Sequence, residues 1–326
     1  MNKKVVCPYC NHHFKISKQS KNRRCPNCRV CFENKRNIIN WLQKDSIHLE
    51  TKETEIHRSI VSKIRHALKE GDFFSRLKIK LSNLYNSYFS PYAIITMPLR
   101  NKAKRLSEDY FNYILSANDI SKLWYERYFR NCKPLKGSSV LEIGCGRGRN
   151  LCHLNNAGHR VHGLDVYKDP WWDKLDVETF NVVPQESTVL PYPDNSFDAI
   201  ISFQVAGFFS EERLKKQSTE IYRILKPSGL FIMQETNSGS YGIKYHKAYY
   251  GRIPHSLKDA KKIFSRKFTQ IDSWYEGYYS KKFTLITSLW KATRGDKVGT
   301  WMMDEKDADR LPAERRGLWI LRLRKD

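Results

Sequence analysis

The chain has 326 residues, 40% of them hydrophobic and 28% charged, with 58 Lys and Arg against 34 Asp and Glu for a formal charge of +24. This length and apolar content suit one large core with one or two satellites and exclude a wholly disordered chain. No apolar run is long enough to span a bilayer, and the start MNKKVVCPYC lacks the apolar stretch of a signal peptide, so a cytoplasmic protein with reduced cysteines is expected.

The first element is "CPYCNHHFKISKQSKNRRCPNC", two Cys-x-x-Cys pairs with fourteen residues between them. Four thiols in two tight turns can converge on one tetrahedral zinc ion, and Cys7, Cys10, Cys25 and Cys28 are the expected ligands. Cys31 is a rival ligand, disfavoured by the repeated Cys-Pro-x-Cys; His12 and His13 are expected on the surface. A disulfide framework lacks a secretion signal to go with it, and a redox pair needs only one Cys-x-x-Cys. A unit of some thirty residues buries too little to fold alone, so zinc is expected to supply its folding energy. Residues 1–32 also hold eight Lys or Arg and no Asp or Glu. Such an excess either attracts a polyanion or is simply solvated. The stretch resembles the small zinc ribbons that serve as docking or nucleic-acid-contacting modules.

Residues 33–118 are expected to form a helical connector without chemistry. Ile56, Ile60, Ile64 and Leu68 recur at helical spacing and Gly71 follows as a stop. The segment from Phe73 to Arg105 mixes aromatics with Lys and Arg; it packs on its own catalytic domain or meets RNA or a membrane surface. "NDISKLWYERYFRN" predicts a helix into a domain spanning 119–326.

That domain opens with "SSVLEIGCGRGRNLCHLNNAGHRVHGLDV". Val140 to Ile143 predicts a buried strand, Gly144, Gly146 and Gly148 a turn, and "NLCHLNNAG" a helix stopped by Gly158. A second strand ends in Asp165. Glycines at the carboxyl end of a parallel strand let backbone approach a ligand, and an acid at the tip of the next strand can accept two ribose hydroxyls. Position 149 is Arg149, so the dinucleotide pattern Gly-x-Gly-x-x-Gly is not met and NAD is disfavoured. After Asp165, "YKDPWWDKLDVETF" leaves a short helix or none, and Trp171 and Trp172 either cover an adenosine edge or pack in the core.

"LEIGCGRG" resembles the glycine-rich motif of class I S-adenosylmethionine-dependent methyltransferases. "ESTVLPYPDNSFDAIIS" and "EIYRILKPSGLFIMQETN" resemble the later motifs of the type 11 branch, in the same order, and "GLWILRLRKD" its last strand. The resemblance implies an α/β fold: a Rossmann-like methyltransferase sheet with flanking helices, preceded here by the zinc ribbon and connector. It implies S-adenosylmethionine as cofactor beside the structural zinc. By position it implies Gly144, Cys145, Gly146 and Gly148 along the methionine and ribose, Glu142 at the methionine amine and Asp165 on the ribose hydroxyls. Glu186 is implied at the adenine, and Ser202 to Gln204 beside the sulfonium.

An acceptor hydroxyl or amine needs its proton removed. The expected acceptor wall, "QETNSGSYGIKYHKAYYGRIPHS", offers Glu235, His246 and His255, with His246 the candidate base. The place of a base-amino motif reads "SFQVAGFF", and no Cys follows Cys152 for cytosine C5 chemistry. The expected acceptor is an oxygen or nitrogen of a small molecule, lipid or glycan. RNA gripped by the basic ribbon is the second reading, and a non-catalytic binding module the third.

Overall fold

The computed structural model describes residues 3–17, 22–42, 125–238, 255–278 and 316–326. Its strands are β1 (Lys3–Val6), β2 (His13–Ile16), β3 (Asn22–Arg24), β4 (Cys31–Lys35), β5 (Ile38–Asn40), β6 (Ser139–Ile143), β7 (Arg160–Asp165), β8 (Thr179–Val182), β9 (Phe197–Phe203), β10 (Leu225–Thr236), β11 (Phe268–Tyr278) and β12 (Arg316–Lys325). Three helices join them: α1 (Arg149–Asn156), α2 (Glu211–Ile224) and α3 (Leu257–Phe264). Residues Met1–Lys44, Leu115–Tyr279 and Val298–Asp326 make one compact unit; the second unit, Asp45–Ile114 with Ser280–Lys297, lies outside the described residues. No helix among the described residues is long and apolar enough to cross a membrane.

One sheet of ten strands runs β11-β12-β10-β9-β6-β7-β8-β5-β4-β3. From β10 to β5 every neighbouring pair is parallel, while β12 lies antiparallel between β10 and β11. This is the Rossmann-like sheet that the resemblance implies, and the structure adds a reversed strand near one edge. Side chains alternate across it. Leu141, Ile143, Leu164, Phe231, Trp319 and Leu321 pack in one core layer; Val140, Val161, Phe180, Ile201, Ile232 and Ile320 pack in the other. Covered on both faces, β6 is buried at all five positions, with Val140, Leu141 and Ile143 in the core and Ser139 and Glu142 as its buried polar residues.

Local signals set the helix ends. Gly148 (φ 82°) precedes α1 and Gly158 (φ 88°) follows it, both in the left-handed region open to glycine. Ser210 caps α2, with Glu211 and Glu212 in its first turn paired to Lys215 and Lys216. Ser256 and Asp259 form a capping box at α3.

The amino-terminal boundary needs correction. Strand β4 runs across residues 32 and 33, and residues 33–40 form a hairpin rather than the start of a helical connector. The cause is pairing: β5 lies parallel to β8, with Ile38 opposite Phe180 and Asn40 opposite Val182. The ribbon therefore extends the edge of the main sheet. Its Val5, Ile16, Phe32, Ile39 and Trp41 join the same core layer as Leu141 and Phe231. At roughly 2 kcal/mol for each fully buried side chain, this shared core gives the ribbon what thirty residues alone lack. The helical repeats expected between residues 56 and 105 lie outside the described residues. The expected helix ahead of the domain is described at residues 125–128, and Asn131 at φ 62° follows it.

Candidate functional site

The site forms at the carboxyl ends of β6, β7 and β9. The glycine loop leaves β6 through Gly144 (φ 71°) and Gly146 (φ 53°). A Cβ on Gly144 would stand 2.2 Å from Val205 Cγ2, so the loop touches the turn that follows β9. Around Gly146, among the described residues, a Cβ would meet nothing nearer than the Tyr167 hydroxyl at 3.8 Å. Close packing explains the first glycine, while backbone conformation and open space explain the second. The Cys145 thiol turns inward beside Gly163, and burial pushes its pKa well up. Cys145 thus offers the site its backbone rather than its sulfur.

Two carboxylates flank the loop. Asp165 Oδ2 accepts the Gly146 N–H and Oδ1 accepts the Val166 N–H, both at 2.7 Å. Burial raises its pKa to about 6, against those backbone donors. Glu142 is 3% exposed. Its Oε1 accepts from Asn150 Nδ2 at 2.7 Å, and its Oε2 is buried without a partner among the described residues. Burial pushes the Glu142 carboxyl up to about 8. An unpaired buried carboxylate oxygen is costly unless a ligand completes it.

Comparison with known proteins decides what this loop belongs to. Residues 141–233 match the family model described as "Methyltransferase domain". The chain carries a methyltransferase domain. It is of the class I, S-adenosylmethionine-dependent type, and the match runs from β6 through most of β10. The domain is similar to a probable S-adenosylmethionine-dependent methyltransferase of Mycolicibacterium smegmatis, 30% identical over 35% of this chain and 46% of that one. It is similar to a sterol 24-C-methyltransferase of Pneumocystis carinii, 31% identical over 31% of this chain and 28% of that one. A probable tRNA (uracil-O(2)-)-methyltransferase of Xenopus laevis is 27% identical over 49% of this chain and 22% of that one. The chain spans less than two thirds of the length of these relatives.

The methyltransferase domain's residues fit S-adenosylmethionine. The unpartnered Glu142 oxygen suits an ammonium group, and the open side of Gly146 leaves room along the loop. The other expected contacts are placed as follows. Ser202 is buried in β9, in register with Ile143 and Met233. Gln204 (φ 62°) follows, its N–H donating to the Gln234 carbonyl at 2.9 Å and its Oε1 accepting from Thr236 Oγ1 at 2.7 Å. Glu186 is exposed, on the loop that starts at Val183, whose N–H donates to the Asp165 carbonyl at 3.0 Å.

Two expected acceptor-wall groups are committed elsewhere in the domain. Glu235 Oε1 accepts the N–H groups of Val205 and Ala206, both at 2.6 Å, so it braces the turn after β9. His255 Nε2 lies 2.9 Å from the Phe209 carbonyl, which can only accept, so this nitrogen carries the proton and is not a free base. His246 lies outside the described residues.

Trp172 resolves the choice left by the sequence. It is fully buried, stacks on Phe180 at 4.2 Å, and donates its indole N–H to the Gly146 carbonyl at 2.7 Å. A short 3-10 helix, Pro170–Lys174, stands where the family has a full helix, and Asp169 caps it through the Trp171 N–H. Sequence reasoning missed this indole-to-loop bond and the Asn150 contact to Glu142, because neither spacing nor composition encodes them.

The structure brings the four cysteines of the two Cys-x-x-Cys pairs together. The sulfurs of Cys7, Cys10, Cys25 and Cys28 all lie within 4.8 Å of one another, with Cys7 to Cys28 and Cys10 to Cys25 at 3.6 Å. Four sulfurs about 2.3 Å from one zinc stand about 3.8 Å apart, so the set fits zinc. The two turns repeat each other. Asn11 donates to the Cys7 carbonyl at 2.9 Å and Arg29 to the Cys25 carbonyl at 3.0 Å, and both donors have positive φ. Cys31 is exposed on β4 and outside the cluster, and His12 and His13 are exposed.

Proposed function

We propose that this protein transfers a methyl group from S-adenosylmethionine to an oxygen or nitrogen of a small molecule, lipid or glycan. The observation that carries the cofactor part is Glu142, a buried carboxylate with one oxygen unsatisfied, set below a glycine loop that Asp165 holds open. In this reading Glu142 ionises to receive the methionine ammonium, and Asp165 accepts the ribose hydroxyls. The backbone of Gly144, Cys145, Gly146 and Gly148 lines the methionine and ribose, and Glu186 faces the adenine. Ser202 and Gln204 border the reacting centre, where Glu235 fixes the turn. When bound, S-adenosylmethionine supplies a methyl group already activated on a sulfonium. The chain then has to align the acceptor, exclude water and take one proton from it. His246, in the segment after β10, is the base we propose. The type 11 resemblance supports the small-acceptor reading.

A second reading, an RNA acceptor, draws on the ribbon. Residues 1–41 hold ten Lys or Arg and one Glu; ten minus one leaves +9, and four thiolates with one zinc lower it to about +7. Lys4 and Lys15 stand directly opposite across β1 and β2, and both are exposed, as are Arg24, Arg29 and Lys35. Like charges paired across strands cost stability, which a bound polyanion would offset.

The test is incubation of the full chain with methyl-labelled cofactor and a cell extract, followed by separation of RNA, protein, lipid and small molecules. Label in the lipid or small-molecule fraction is expected. Label in RNA that disappears with RNase would replace the first reading by the second, and no transfer with no cofactor binding would remove both.

A further inference from the structure

The ribbon does more than adjoin the sheet edge: it holds the loop on which Glu186 sits. That loop leaves β8 at Val182, and the Trp41 N–H donates to the Val182 carbonyl at 2.9 Å. Trp41 Nε1 donates to Asn181 Oδ1 at 3.2 Å, and the Tyr9 hydroxyl donates to the Trp41 carbonyl at 2.9 Å. Further along, Ser187 Oγ lies 3.0 Å from the Pro8 carbonyl and 2.9 Å from the Val189 carbonyl. Its one hydrogen is therefore shared between the knuckle and its own loop. Pro8 and Tyr9 are the two residues between the zinc ligands Cys7 and Cys10. On the other side, Val183 ties the same loop to Asp165. A continuous path thus joins the thiolate cage to the ribose carboxylate: Cys7–Cys10 turn, Pro8 carbonyl, Ser187, Val183, Asp165.

We infer that the first zinc knuckle is a wall of the cofactor site, and that Ser187 is the positioning residue that links metal occupancy to cofactor affinity. Zinc fixes the Cys7–Cys10 turn, the turn presents the Pro8 carbonyl, and Ser187 sets the loop at the height where Glu186 faces the adenine. Without the metal, the Cys7–Cys10 turn keeps its bonds within the ribbon and the Tyr9 bond to Trp41 but loses the constraint between its two thiolates, so the Pro8 carbonyl is held less tightly and the cofactor has more of the loop left to order. Coupling of this kind is reciprocal: whatever factor zinc adds to cofactor affinity, cofactor adds to zinc affinity. The inference rests on the S-adenosylmethionine reading above.

The experiment uses the full chain, with S-adenosylhomocysteine as probe, and measures two equilibria. Cofactor affinity is read by calorimetry in wild type, Ser187→Ala and Ser187→Thr. Zinc affinity is read by competition with a chromogenic chelator, with and without saturating probe. Loss of one partly buried hydrogen bond predicts weakening on the order of tenfold in Ser187→Ala. That variant is expected to keep one zinc per chain and the wild-type melting temperature within a few degrees, and Ser187→Thr, which retains the hydroxyl, restores affinity. Probe tightens zinc in wild type and loses most of that effect in Ser187→Ala. Equal cofactor affinity in wild type and Ser187→Ala, or zinc affinity indifferent to probe in wild type, overturns the inference while leaving the cofactor site standing. Absence of probe binding in wild type overturns the reading beneath it instead.

Discussion

Glu142 should make cofactor binding depend on pH, with a size that follows from its burial. Burial pushes its carboxyl up to about 8 from 4.5. At pH 7 that leaves about 0.9 of a proton on the group. The methionine end of the cofactor brings an ammonium, and an ion pair in a buried site needs the ionised carboxylate. Binding therefore releases a proton, and affinity rises with pH until Glu142 is already ionised in the free protein. With a bound-state pKa well below 6, affinity increases about ninefold from pH 6 to 7 and about fivefold from 7 to 8. Asp165, raised to about 6, adds about a further twofold between pH 6 and 7. The same shift has a sign for stability. A carboxyl raised in the folded state contributes stability that is full below its unfolded value near 4.5 and is lost as pH climbs through about 8. Saturating cofactor should flatten that loss. The assay is calorimetry with S-adenosylhomocysteine in two buffers of different ionisation enthalpy, from pH 6 to 8. Glu142→Gln should bind roughly 10- to 100-fold more weakly at pH 8, with no proton release. Affinity in wild type that stays flat across this range would refute the assignment of Glu142 to the ammonium.

Two other outcomes follow from the packing. Trp172→Phe keeps the stack on Phe180 but strips the donor from the Gly146 carbonyl. It should cost about 1–2 kcal/mol in urea unfolding and loosen cofactor binding several-fold, and unchanged cofactor affinity would show that the indole bond is not what sets the loop. The ribbon shares a core layer and a strand pair with the main sheet, so ribbon and sheet should melt in one transition in the zinc-loaded protein. Cys25→Ser should then abolish zinc by elemental analysis and lower that single transition, and a separate low-temperature melt of the ribbon would count against the shared core.

Much of the site could be read from the sequence because its signals are local. Gly144, Gly146 and Gly148 all have positive φ, a backbone demand that one residue type announces. Asp165 closes a strand at helix-plus-strand distance from them, and a repeated Cys-Pro-x-Cys needs no fold to be read as a cage. The choice between Glu235 and His255 as chemistry or structure could not be read. Each is settled by a partner 29 or more residues away, Val205 and Ala206 for one and the Phe209 carbonyl for the other.

The sequence by itself determined the order of strands and helices around the glycine loop, the paired spacing of the four cysteines and the positions of the two flanking carboxylates, because periodicity and spacing along the chain encode them. Only the tertiary structure decided that the ribbon is part of the main sheet, that Trp172 locks the loop carbonyl, and that Ser187 meets the knuckle. The reason is physical. Parallel pairing of β5 with β8 joins residues some 140 positions apart, and such a contact is chosen by what the finished core and the exposed sheet edge can accept, not by any pattern within either segment.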